Sequence, residues 1–263
     1  MAFENLLYEK RDGVATVTIN RPERNNAFNE ATAIELRQAW TEIKADPEVV
    51  CVILTGAGDR AFCTGMDLSA VASGNTGSYE MDESPFCNMT AIHNKCWKPV
   101  ITAVNGMAVG GGLHFIADSD LTLASEHATF FDTHVKVGLV AGLEPVGLAR
   151  RMPLEATLRM ALTGGAERMS AQRAFELGLV GEVVPHAELM PRARELAALI
   201  AAHSPAALAR TKRAIWQSLD TGLHEGLANA WSIIAEHRSS GDPREGATAF
   251  MEKRKPRWEG FMG

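Results

Sequence analysis

Pro99-Val-Ile-Thr-Ala-Val-Asn105-Gly106-Met-Ala-Val-Gly110-Gly111-Gly112-Leu-His114 is the stretch whose reading decides the fold. Its first half is a short β-branched apolar run, the pattern of a strand buried on both faces. The chain then enters three consecutive glycines at a predicted helix start. Glycine lets backbone N–H groups come close to a ligand oxygen, and a helix N-terminus adds positive potential, so the segment predicts an anion or oxyanion site. A second junction of the same kind lies upstream. There the apolar run 49–54 leads into Thr55-Gly56-Ala57-Gly58 and then Ala61-Phe62-Cys63-Thr64-Gly65-Met66-Asp67-Leu68. Two such junctions can together offer two backbone donors to one carbonyl oxygen.

Working outward, Val14–Ile19 alternates and is β-branched, which predicts a strand ended by Arg21-Pro22. A helix is expected over 30–44, with Ile34, Trp40 and Ile43 among its apolar positions. Strand, helix and strand recur through Val100–Val104 and 121–124, giving an α/β layer structure built on repeated crossovers. A further strand-like run covers 180–184, and the rest reads as helices over 187–202, 205–219, 223–238 and 242–253. Ser204-Pro205 and Asp242-Pro243 look like helix starts, each with a capping side chain and proline in the first turn. Residues 69–85, rich in Ser, Gly, Asn and acidic side chains, read either as a mobile lid over a pocket or as a surface loop without a role.

Composition narrows the class. A chain of 263 residues, 46% hydrophobic, can bury a sizeable core. A formal charge of −6 with no basic block argues against nucleic acid as a partner. The clusters Arg150-Arg151 and Lys253-Arg254-Lys255 read as solvated faces or as contacts to an anionic ligand. The first residues lack a charged n-region and an apolar h-region, and no apolar run reaches the roughly 18 residues of a spanning helix, so a cytoplasmic protein with no membrane partner is expected. Cys51, Cys63, Cys87 and Cys96 show no CxxC spacing and suit reduced thiols, with Cys63 a packed thiol rather than a nucleophile. No spacing suggests a metal site.

The order and spacing of several segments resemble the crotonase (enoyl-CoA hydratase/isomerase) superfamily over nearly the whole chain. The matching segments are Leu54-Thr-Gly, Ala61 to Leu68, Lys98 to Gly106, the glycine run, Met169-Ser-Ala-Gln-Arg-Ala174 and Phe250-Met-Glu-Lys-Arg-Lys255. The resemblance implies a ClpP/crotonase-like α/β spiral of ββα units over 1–200. It also implies a C-terminal helical region, 201–263, that packs on neighbouring subunits in trimers often stacked as hexamers. An acyl-CoA thioester is implied as substrate, with coenzyme A carried by that substrate and no separate cofactor. By matching position, the backbone N–H groups of Thr64 and Gly111 would form the oxyanion hole. Arg24 and Ala27, the loop Met66-Asp67-Leu68, and Phe250 with Lys253, often from a neighbouring subunit, would meet CoA. Glu23 stands where a lysine is frequent, which weakens the phosphate site.

The chain departs from the hydratase pattern at its acid–base positions. Where hydratases carry two glutamates, this chain carries His114 and His134. Histidine titrates near neutrality and is a competent acid or base, so the change need not abolish catalysis. Glu144, just before Pro145, reads either as a carboxylate that orients a histidine or acts as the base, or as a helix-start acid favoured by the macrodipole. Asp132 is an alternative partner for a histidine. Three readings of function follow. One is an acyl-CoA enzyme of that family, an enoyl-CoA hydratase by label, passing through a thioester enolate; another is hydrolysis of a C–C bond in a β-dicarbonyl compound, or enoyl-CoA isomerisation, on the same fold; the last is a catalytically silent acyl-CoA binder.

Overall fold

The computed structural model describes residues 3–69 and 84–263. Six strands form the main sheet in the order β1-β2-β3-β5-β7-β10: Leu6–Arg11, Val14–Ile19, Cys51–Gly56, Val100–Val104, Leu121–Ser125 and Glu182–Val184. β1 and β2 pair antiparallel and every later pairing in this sheet is parallel. A smaller sheet has four strands in the order β4-β6-β8-β9: Ala61–Cys63, Met107–Val109, Thr129–Phe131 and Met169–Ser170. β3, β5 and β7 of the large sheet thus each pass, after a short corner, into β4, β6 and β8 of the small one. That repeat is the ββα spiral.

The corners are stitched by two asparagines. Asn105 accepts from Gly56 N–H at 3.2 Å and donates through Nδ2 to Gly58 O at 2.7 Å. Asn26 donates to Ala57 O and Ala61 O at 2.9 and 2.8 Å. Gly106 is needed here, because a Cβ would lie 2.6 Å from the Arg60 carbonyl. Successive corners therefore stack backbone on backbone, and the loops leaving β4 and β6 emerge side by side.

The helix Glu30–Ala45 matches the expected span, with the Asn29 side chain accepting from Thr32 N–H at 2.9 Å. Trp40 and Ile43 are buried as expected, but Ile34 is 51% exposed, so the apolar face runs through Thr32, Ala33, Leu36 and Ala39 instead. The C-terminal helices are Leu189–Ala201, Pro205–Ser218, Leu223–Arg238 and Asp242–Met251. Ser204 caps its helix, accepting from Ala207 N–H at 3.0 Å. Asp242 does not cap its own helix; its carboxylate accepts from Ser204 Oγ and so joins two helix starts. Asp120 anchors the helix Pro205–Ser218 to the sheet. Its carboxylate takes Val100 N–H, Trp216 Nε1–H and the Lys212 ammonium, each at 2.7 Å.

Residues 70–83 of the expected lid lie outside the described residues. Among the described residues, no helix is long and apolar enough to cross a membrane, and no cluster of His, Cys, Asp and Glu could hold a metal ion.

Candidate active site

The glycine run is a short 3-10 turn, Gly110–Leu113, continued by the buried helical turn His114–Ala117. Gly111 lies in the first turn, where N–H groups have no intrahelical acceptor. Two glycines explain why the turn sits where it does. Gly110 has φ +51 and lies against His134, whose Cε1 is 3.4 Å from where a Cβ would stand. Gly112 packs on β4 so closely that a Cβ would fall 2.2 Å from Cys63 O. Thr64, directly after β4, is held by its Oγ1 donating to Asn25 O at 3.2 Å. The next residue, Gly65, has φ +83, and a Cβ on it would lie 2.8 Å from Gly111 N. The loops carrying Thr64 and Gly111 are therefore in contact. Cys63 is wholly buried, which pushes its thiol up to about 12 and keeps it protonated.

Three of the expected side chains converge beside this turn. Glu144 is the second residue of the helix Leu143–Leu148, in its first turn, with its side chain turned inward and buried. Its Oε1 lies 3.2 Å from His114 Nε2 and 3.9 Å from His134 Nε2. His134 is fixed from its other side by Asp132, whose Oδ1 is 3.0 Å from Nδ1. Asp132 is thus the direct partner of a histidine, and Glu144 completes an alternating Asp132–His134–Glu144–His114 row.

The environments push these groups apart. Burial drives His114 down to about 4, so it is neutral at physiological pH despite its carboxylate neighbour. Hydrogen bonding to Asp132 raises His134 against a smaller opposing effect of burial, with Glu144 adding to the rise. Burial raises Glu144, and His134 opposes that rise. Burial thus works against charge on both His114 and Glu144, while the Asp132 contact favours the charged form of His134. Titratable side chains held this close in unlike environments are the groups from which general acid–base pairs are built.

The expected CoA residues fall into two groups. Ala27 and the loop Met66-Asp67-Leu68 are brought together by Phe28 N–H donating to Gly65 O and Asp67 N–H donating to Phe28 O, both at 2.8 Å. Arg21 ties the same junction, reaching Ala27 O and lying 3.5 Å from Asp67 Oδ2. Arg24 is exposed in the preceding 3-10 turn, Pro22–Arg24. Phe250 and Lys253 are not joined to that loop by any hydrogen bond, ion pair or ring contact among the described residues. Phe250 is 86% exposed.

One cluster escaped the sequence. The rings of His93 and His114 meet edge to face with centroids 6.1 Å apart, and His93 is held by Thr90 and Asp118. No motif marks His93, and its partner Asp118 is distant in the chain, so only the fold reveals the contact.

A family model described as enoyl-CoA hydratase/isomerase matches residues 9–261. Among curated relatives, an (E)-benzylidenesuccinyl-CoA hydratase of Thauera aromatica is 37% identical, the match covering 96% of this chain and 98% of that protein. A short-chain-enoyl-CoA hydratase of Clostridium acetobutylicum is 36% identical, with 99% of both chains covered. The crystal structure of an enoyl-CoA hydratase/isomerase from Mycobacterium paratuberculosis superimposes with a TM-score of 0.89 at 42% identity, covering 98% of this chain and 99% of that one. With the family matched from end to end and the ββα spiral in place, this chain belongs to the enoyl-CoA hydratase/isomerase family.

Proposed function

We propose that the protein acts on an acyl-CoA thioester, holding its carbonyl oxygen with the backbone N–H groups of Thr64 and Gly111 while Glu144 and His134 move protons at the adjacent carbons. The observation that carries this reading is the convergence of His114 and His134 on one buried oxygen of Glu144, at 3.2 and 3.9 Å, beside the glycine turn. In the hydration direction a water oxygen bonds to the β-carbon of an enoyl thioester and its proton passes to the Glu144 carboxylate. The π electrons move to the thioester oxygen as an enolate, which the two amides stabilise. The His134 imidazolium then delivers a proton to the α-carbon, and proton transfer from Glu144 to His134 restores both groups. His114, kept neutral by burial, orients Glu144.

The Thauera and Clostridium relatives are named as hydratases of CoA thioesters. Here both glutamates usual in hydratases are replaced, by His114 and His134. A second reading, hydrolysis of a C–C bond in a β-dicarbonyl thioester, is favoured by the Asp132–His134–Glu144 row. Such an imidazole between two carboxylates suits activation of a water that attacks a carbonyl carbon. Both readings place CoA along Arg24, Ala27, Met66, Asp67 and Leu68. Phe250 and Lys253 would be supplied by a neighbouring copy in a trimer or hexamer acting in the cytoplasm.

The deciding experiment incubates the protein in deuterium oxide with a panel of enoyl-, 3-oxo- and cyclic oxo-acyl-CoA thioesters and identifies products by mass. An enzyme of this kind exchanges the α-proton of at least one thioester, and the added water or cleaved bond tells hydration from hydrolysis. Binding without exchange anywhere on the panel would make it a silent acyl-CoA binder.

A further inference from the structure

Beside His114, and bordered by the helix that carries Glu144, lies a cavity of about 430 Å³, with His114 itself on its wall. The indoles of Trp97 and Trp216 line it together with Ile92, Leu143 and Val146. A volume of this order falls within the usual range of small-molecule sites. A short unbranched acyl chain would leave much of it unfilled.

The polar groups on the wall are specific about what they accept. His93 Nδ1 is 3.1 Å from Thr90 Oγ1, and the Thr90 hydroxyl donates to Asp118 Oδ2 at 2.9 Å. A hydroxyl has one hydrogen, and that hydrogen is committed to Asp118, so the contact with His93 runs from Nδ1–H to the threonine oxygen. In that tautomer the ring's lone pair is on Nε2, which has no protein partner among the described residues. A nitrogen in that state accepts from an O–H group. An anionic end is poorly matched. Arg150 on the same wall is already paired with Asp220 at 2.9 Å, and Asp118 adds a second carboxylate.

We propose that this cavity receives the acyl group and selects one ending in an aromatic or alicyclic ring with a hydroxyl, which donates to Nε2 of His93 while the ring lies among Trp97, Trp216 and Leu143. The inference rests on the acyl-CoA reading above and adds to it the class of acyl group. It makes His93 a specificity-determining residue, held in one tautomer by Thr90 and Asp118.

The test measures kcat/KM and equilibrium binding for CoA thioesters of para-hydroxyphenylpropenoic acid, its methyl ether, the unsubstituted phenylpropenoic acid, but-2-enoic acid and a carboxylate-ended enoic acid. The hydroxylated ring is expected to exceed the methyl ether by at least about tenfold, because the ether leaves the imidazole acceptor unpaired. The His93→Phe variant should bring that ratio close to one, and His93→Gln, which keeps an acceptor, should retain part of it. The wild-type ratio alone decides the matter should either variant fail to fold. Turnover of thioesters without preference for the hydroxylated ring, or with preference for the carboxylate-ended chain, overturns this inference and leaves the acyl-CoA reading standing. Failure of every thioester to bind overturns both.

Discussion

His134 and Asp132 are bonded twice: the backbone N–H of His134 donates to Asp132 Oδ1 at 2.8 Å, and its ring Nδ1 lies 3.0 Å from the same oxygen. That contact is the largest cause of the raised His134 pKa. A group that must deliver a proton as the imidazolium is lost as pH rises through its pKa, so the basic limb of kcat/KM for hydration should lie above the ordinary histidine value of about 6.5. Replacing Asp132 by Asn removes the charge that favours the imidazolium, lowers the pKa and moves the limb to lower pH. Glu144→Gln should move it in the same direction by less, since Glu144 contributes less to the rise, while costing more in kcat. A basic limb that stays in place in Asp132→Asn would show that His134 is not the titrating acid.

The contact between the Thr64 and Gly111 loops makes Gly65 a sensitive probe of the proposed oxyanion site. Gly65→Ala would be strained by φ +83 and would push a methyl to 2.8 Å from Gly111 N. Losing one donor of such a pair costs on the order of 100- to 1000-fold in kcat, and a drop of that size is expected with the fold kept by circular dichroism. Thr64→Ala keeps its N–H and loses only the bond to Asn25 O, so a change of less than about tenfold is expected. Comparable losses in both variants would separate the amides from the chemistry.

Burial of His114 links stability to pH. Its folded pKa of about 4 lies below the unfolded value of about 6.5, so its contribution is fully present above the unfolded value and is lost as pH falls toward 4. Between about pH 7 and pH 5 the loss amounts to about 2 kcal/mol, which urea titrations at the two pH values would detect. Glu144, whose pKa is raised, acts with the opposite sign: its contribution is present below its unfolded pKa and fades as pH rises through the folded one. His114→Gln should remove the loss between the two pH values, even if stability at neutral pH is lower.

Phe250, Met251 and Trp231 expose 86%, 74% and 61% of their surface on the C-terminal helices. Large apolar side chains left this exposed are suited to burial against another copy of the chain. Light scattering of the purified chain should give a trimer or hexamer, and Trp231→Glu should lower the mass toward that of a monomer. If Phe250 of one copy meets the nucleotide bound by another, Phe250→Ala should raise KM for the CoA thioester but not for the matching pantetheine thioester. A monomer with full activity would remove Phe250 and Lys253 from the site.

The longer elements were legible because each repeats its pattern several times. Val14–Ile19 and Val100–Val104 declare themselves through β-branched side chains, and the helix Glu30–Ala45 through its cap and buried positions. β4, β6 and β8 have three residues each, too few to show a period, so the small sheet was invisible although it carries the two glycine junctions. Ile34 was misplaced because an apolar residue one step off the core stripe looks like part of it. At the site, His114, His134 and Glu144 could be named from position in the family pattern. That Asp132, rather than Glu144, dominates the His134 pKa depends on a turn geometry that no spacing encodes.

The pairing of β4 with β6 has a consequence for how much change the site can absorb. Thr64 follows one of these strands and Gly111 the other, and Cys63 opposite Ala108, past the irregularity after Ala61, sets their register. Parallel neighbours lie about 4.8 Å apart whatever side chains they bear. The sheet therefore acts as a ruler, setting the spacing of the two amides by backbone pairing alone. On the proposed mechanism, substitutions at His114, His134 or Glu144 would change which proton moves and when, while the place where negative charge collects would stay fixed.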